Sequence, residues 1–391
     1  MPGKDILKMI RLVVDTINKK DIVRLIDWLK TYPRLTKGPV TQQLETKWSN
    51  IIGSKYTVFC NSGSSANLLM LQALLESNRV ERGSKVVVPA LAWATDLSPV
   101  MQLGFEPLIC DINLQDLSVD LDDLERLIVE ESPSVLILVS VLGLVPDMEK
   151  VVKLCEDNNV ILLEDACESM GSQFKGQNLG TFGLMSSFST FFGHHISTIE
   201  GGFISTDDFE LYEILKAVRS HGWDRDLSPE TQSKLREEWD VSLFNSLYTF
   251  YYSGLNLRST DLQAYVGLTQ VDRLGDVSIA RNNNFNIYQE HINNEYWKVA
   301  GRNDCFISNF AYPVINPSRD EMVEELVFND IEVRPLICGS MSSQPFYIKK
   351  YGKKHMKNCE IVDKFGFYLP NHPYMTEEDI IFVSQIINKY S

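Results

Sequence analysis

From Ser187 to Gly202 the chain reads Ser-Phe-Ser-Thr-Phe-Phe-Gly-His-His-Ile-Ser-Thr-Ile-Glu-Gly-Gly, which sets two adjacent histidines among hydroxyls, ahead of a Gly-Gly turn. Imidazole titrates near about pH 6.5, so a histidine can take or give a proton at neutral pH without help from its surroundings. Packing rarely calls for a histidine pair. A metal site is the competing chemistry, but neighbouring side chains on an extended segment point oppositely, and the nearest carboxylate is Glu200. Proton transfer is the better reading, and no metal is expected.

Three further segments carry chemistry. Asn61-Ser62-Gly63-Ser64-Ser65-Ala66-Asn67 lies between an apolar run and a Leu-rich helical stretch. Glycine permits a tight turn there, and the free N–H groups and hydroxyls of a helix start can cradle a phosphate, although such turns are common in structural roles. Ile161-Leu162-Leu163-Glu164-Asp165-Ala166-Cys167-Glu168-Ser169 is an apolar strand ending in carboxylates. A carboxylate at the carboxyl end of a parallel strand requires a cationic or proton-donating partner, or else serves as a helix cap or surface ion pair. Ser253-Gly254-Leu255-Asn256-Leu257-Arg258 is a turn whose arginine could close on a phosphate or carboxylate.

These segments need a scaffold, and the sequence supplies an α/β one. Strand-like apolar runs at 56–60, 85–89, 107–111, 135–141, 160–165, 186–189 and 202–206 alternate with helical patterns, notably 64–75, 121–130 and 148–158. That alternation predicts a mostly parallel seven-stranded sheet covered by helices. Residues 318–336 and the closing Thr-Glu-Glu-Asp-Ile-Ile stretch predict helix, strand and terminal helix in a smaller C-terminal α/β domain. The expected division is an N-terminal helical segment 1–37, a large domain 38–272 and a small domain 273–391.

Composition narrows the function classes. With 44% hydrophobic and 23% charged residues the chain can bury a large core. No apolar run is long enough to span a bilayer, and residues 1–20 lack the core and cleavage site of a signal peptide, so a cytoplasmic protein is expected. Seven scattered cysteines with no CxxC pair argue against a disulfide framework or a compact metal cluster. A net charge of −15 argues against a nucleic-acid partner, which needs a broad basic face, but leaves room for a small anionic substrate held by local cations.

In this order, the four motifs resemble the DegT/DnrJ/EryC1/StrS sugar aminotransferases, from about Gly38 to the C-terminus. The resemblance implies a type I aminotransferase fold binding pyridoxal 5′-phosphate. It implies that Gly63, Ser64, Ser189 and Thr190 hold the cofactor phosphate, Trp93 stacks on the ring, Asp165 pairs with the ring nitrogen and Glu168 lies close by. Asn256 would reach the cofactor of a neighbouring subunit, which implies a homodimer with shared sites. In the family's aminotransferases a lysine, five residues beyond the phosphate-binding segment's start, forms a Schiff base with the cofactor. Counting from Thr190 lands on His195, and Lys85, Lys150, Lys153, Lys175, Lys216 and Lys234 all lie away from the motifs.

Histidine cannot form a stable imine, so the departure implies the family's 3-dehydratase branch. There the cofactor sits non-covalently as pyridoxamine phosphate, and His195 is the expected acid and base in removing the C3 hydroxyl of a nucleotide-linked 4-keto-6-deoxy sugar. GDP-4-keto-6-deoxymannose is the implied substrate and L-glutamate the implied amino donor. The other branch carries a cysteine-held iron–sulfur cluster, which the scattered cysteines here do not match. His194 is assigned to support. Arg219, His221, Arg225, Arg258 and Arg334 are candidates for the diphosphate or the glutamate carboxylate. A lysine-free aminotransferase is the nearest alternative, and a non-catalytic binding protein on the same fold is the alternative of another class.

Overall fold

The computed structural model describes residues 9–390; the first eight residues of the expected N-terminal segment lie outside the described residues. Residues 19–29 form a helix, α1 (Lys19–Leu29), started by a capping box in which Asn18 and Asp21 satisfy each other's backbone N–H. Asp21 also takes a 2.7 Å ion pair from Arg273 and bonds from Thr269 and Gln270, which ties α1 to the helix Asp261–Val271. The next helix, α2 (Pro39–Ile52), begins with proline at N1 and ends on Gly53 at φ 91.

The core is a sheet of seven strands: β1 (Tyr56–Cys60), β2 (Lys85–Pro89), β3 (Glu106–Cys110), β4 (Val135–Val139), β5 (Ile161–Asp165), then, after a short ribbon of β6 (Gln173–Phe174) and β7 (Gln177–Asn178), β8 (Met185–Ser189) and β9 (Gly202–Thr206). Their order is β1-β9-β8-β5-β4-β2-β3, and only β9 runs against the others. The β-branched and leucine runs of β2 and β4 are buried on both faces, as helices on either side of a parallel sheet require. Helix α3 (Gly63–Glu76) follows β1 and is buried through Leu69–Leu74, so it enters the interior with its first turn at the sheet's carboxyl edge.

Two predicted strands end earlier than their apolar runs. Asp111 leaves the ladder because its carboxylate accepts the N–H groups of Asn358 and Cys359, at 2.9 and 3.0 Å. The 135–141 run stops at Val139, where the chain turns through Leu142 at φ 53 and brings Val139 and Val141 to a cleft. Beyond the long helix Leu274–His291, a second sheet pairs Tyr312–Ile315, Gly366–Leu369 and Arg334–Pro335, flanked by the helices Arg319–Phe328 and Glu377–Ile387. All seven cysteines are unpaired, and among the described residues no helix is long and apolar enough to cross a membrane.

Candidate active site

The carboxyl edge of the large sheet opens into a cleft of about 860 Å³. Gly63, Ser64, Trp93, Asp165, Glu168, Ser189 and Arg334 of the expected residues line it. Ser62 caps α3 by accepting the N–H of Ser65 at 3.0 Å, which leaves the N–H groups of Gly63 and Ser64 as helix-start donors with no acceptor inside the helix. A Cβ on Gly63 would sit 2.7 Å from Ser189 Cβ and 2.9 Å from Cys167 Sγ, so the glycine lets α3 and the end of β8 meet closely. Together they make an anion cup of N–H groups and hydroxyls.

Strand alternation decides which carboxylate of β5 reaches the cleft. Glu164 points the other way and accepts the N–H groups of Gly180, Phe182 and Gly183, each at 2.7 Å. Asp165 faces the cleft, accepting from Cys167 N–H at 2.8 Å and from the Asn67 amide at 2.6 Å. That same amide donates to Asp96 at 2.9 Å. Burial first, and then repulsion from Asp165, hold the Asp96 carboxyl well above the usual carboxylate range. Asn67 and Asp96 were not singled out in the sequence. Asp96 had one legible signal: it stands three residues after Trp93, whose N–H it accepts at 2.9 Å as the cap of the following helix.

The histidine assignment is corrected by the structure. His195 is fully buried, donates through Nε2 to the Ser308 carbonyl at 2.9 Å, and lies outside the cleft lining. His194 lines the cleft, its Nδ1 is buried without a hydrogen-bond partner, and its ring packs beside Phe310 at 5.2 Å between centroids. Burial and the nearby Arg281 guanidinium push His194 down to about 4, against opposing pulls from Asp165 and the Cys167 main chain, so it is a free base at neutral pH. The register runs from Ser189 rather than from Thr190. Thr190 is fully buried, its hydroxyl 2.5 Å from that of Thr198, whereas Ser189 lines the cleft, and five residues beyond Ser189 is His194.

Four of the remaining expectations fall away from this cleft. Arg219 is fully buried and paired with Glu45 at 2.6 Å and the Phe59 carbonyl at 2.7 Å, which makes it an internal brace rather than a substrate contact. Arg225 stacks on Trp223 and Tyr248 and donates to the Leu247 carbonyl. Arg258 donates to Asn256 Oδ1 at 3.0 Å and lies 3.5 Å from the His221 ring nitrogen, in a surface group with Asn256 outside the same chain's cleft. No lysine lines the cleft among the described residues.

Glu168 accepts the Leu142 N–H at 2.8 Å, and burial raises its carboxyl to about 7. The folded chain therefore keeps a proton that the unfolded chain, with an ordinary carboxyl, has lost between roughly pH 4.5 and 7. Stability from this group is full below that window and is lost as pH rises through it. Glu168→Gln has no proton to lose, so its melting temperature should gain on wild type by a few degrees from pH 4.5 to pH 8, and calorimetry showing a constant gap would refute this.

The family model for DegT/DnrJ/EryC1/StrS aminotransferases matches residues 16–388. The chain belongs to this family. Among its relatives, GDP-4-keto-6-deoxy-D-mannose 3-dehydratase of Yersinia pseudotuberculosis is 34% identical over 364 residues, covering 90% of this chain and 92% of that protein. The protein of the same name from Escherichia coli O55:H7 is 32% identical with the same coverage. A crystal structure of GDP-4-keto-6-deoxymannose-3-dehydratase with a trapped PLP-glutamate geminal diamine superposes with a TM-score of 0.87 at 30% identity, covering 96% of this chain and 99% of that one. This DegT/DnrJ/EryC1/StrS chain therefore has the type I aminotransferase fold that its motifs implied.

Proposed function

We propose that this chain is a pyridoxal-phosphate-dependent 3-dehydratase of a nucleotide-linked 4-keto-6-deoxy sugar, GDP-4-keto-6-deoxymannose being the substrate indicated by its similar relatives. The observation that carries the reading is a neutral histidine, His194, with no lysine in the cleft among the described residues. The residues present fit the cofactor: the cup of Gly63, Ser64 and Ser189 suits its phosphate, Asp165 suits a protonated ring nitrogen, and the indole of Trp93, 56% exposed at the cleft wall, suits the ring face.

When bound, pyridoxamine phosphate supplies an amine for the 4-keto carbon and a ring that accepts the electron pair released beside it. Asp165 holds a proton on the ring nitrogen. His194, as free base, takes a proton from the cofactor's C4′ carbon and delivers it to the sugar's C3 oxygen, which leaves as water. In the net change, keto-sugar and glutamate give 3-deoxy keto-sugar, 2-oxoglutarate and ammonia. A homodimer is part of the proposal, supported by Trp239, Leu243, Phe244, Leu247, Tyr248 and Phe250, apolar side chains left exposed in the stretch of chain ahead of Asn256. A cytoplasmic location fits seven unpaired cysteines.

The test is to incubate the purified protein with pyridoxal phosphate, glutamate and GDP-4-keto-6-deoxymannose and weigh the nucleotide sugar. A product lighter by one oxygen is expected. An aminated product would make the chain a lysine-free aminotransferase, and an unchanged sugar with every common nucleotide would leave only a binding role.

A further inference from the structure

The described chain begins as a strap laid along the segment that leads into Arg334–Pro335. Ile10 N–H donates to the Asp330 carbonyl at 2.9 Å, Glu332 N–H donates to the Ile10 carbonyl at 3.0 Å, and Leu12 N–H donates to Glu332 Oε2 at 3.0 Å. Leu12 is buried, which anchors the strap. The strap's Met9, Arg11, Leu12 and Val13 form one wall of the same cleft that holds Ser64, Asp165 and His194.

Arg11 and Arg334 are the only arginine or lysine side chains on the cleft wall among the described residues. Among the described residues Arg11 is exposed, with no hydrogen bond or ion pair, and Arg334 donates only to the carbonyl of its neighbour Val333, at 2.9 Å. The adjacent Glu332 carboxylate is already engaged by the Leu12 N–H. Among the described residues neither guanidinium has a carboxylate partner, and the two, on segments joined by main-chain bonds, present donors suited to phosphate oxygens. On a chain with net charge −15, a dianionic group entering the cleft needs such local cations.

We propose that Arg11 on the strap, together with Arg334, clamps the diphosphate of the nucleotide-sugar substrate, so that the N-terminal strap is part of the substrate site. The proposal rests on the functional reading above. It makes Arg11 a binding residue that none of the motifs contains.

The experiment is calorimetric titration of the cofactor-loaded protein with GDP and with guanosine. Arg11→Gln should weaken GDP roughly tenfold or more while leaving guanosine unmoved, with Arg11→Lys in between. GDP binding within twofold of wild type in Arg11→Gln overturns the clamp. A second arm follows the glutamate-driven conversion of bound pyridoxal phosphate to its amine form by absorbance. Loss of glutamate dependence with GDP unmoved would assign Arg11 to the amino donor and overturn the clamp too. A wild-type protein that binds none of GDP, CDP, UDP and dTDP would overturn the functional reading itself, whereas tight wild-type binding with an indifferent Arg11→Gln overturns the clamp alone.

Discussion

Replacing His194 by Asn is expected to reduce dehydration by about 10³-fold, the scale of a lost positioned acid and base, while cofactor content and the melting temperature change little. Asparagine is smaller, polar and unable to carry the proton, and His194 Nδ1 has no partner whose loss would disturb the fold. The neighbouring variant, His195→Asn, is expected to behave in the opposite way. It removes the bond to the Ser308 carbonyl inside a fully buried site, so it should lower the melting temperature and cost turnover less than about tenfold. Lysine substitutions sharpen the contrast. His194→Lys places an amine on the cleft wall, where borohydride should trap a covalent adduct with pyridoxal phosphate, whereas His195→Lys buries an ammonium group and should yield none. An active His194→Asn enzyme, or a trapped adduct at position 195 alone, would return the role to His195.

The sheet was legible because each strand is a short apolar run bounded by polar turns, and the ends that moved did so for tertiary reasons. Asp111 left its strand to cap a segment nearly 250 residues away, a partnership no local pattern announces. The cup at Gly63 and Ser64 and the carboxylate at Asp165 were legible because strand-to-helix turns and strand ends fix where side chains point. The histidine pair was not resolved. Two identical adjacent residues differ only in direction, and that direction follows from the buried Thr190–Thr198 contact and the Ser308 carbonyl. The arginines show the same limit. Arg219 and Arg334 look alike in sequence, yet one braces Glu45 in the interior and the other stands on the cleft wall. Arg11 escaped notice because an extended strap carries no periodicity and no motif.

Replacing Asp165 by Asn should leave the fold intact and turnover lower by roughly 10²- to 10³-fold, the range seen when one preorganised electrostatic partner of a reacting group is removed. The Cys167 N–H bonds Oδ1 and the Asn67 amide bonds Oδ2, so the replacement amide keeps its oxygen for one of these two donors and loses the other bond together with the negative charge. The cup at Gly63 and Ser64 is untouched, so the cofactor should still bind and its absorbance should still be measurable. Asp96→Asn is the control that separates charge from position. Asp96 already holds its proton, because burial and the Asp165 carboxylate push it far above its ordinary range, so its replacement removes no negative charge and should cost less than about tenfold. The two variants differ by one charge on the same Asn67 amide, and single-turnover rates with preloaded pyridoxamine phosphate compare them without interference from glutamate. An Asp165→Asn enzyme at wild-type rate, or an Asp96→Asn enzyme equally impaired, would put the catalytic charge on Asp96 instead.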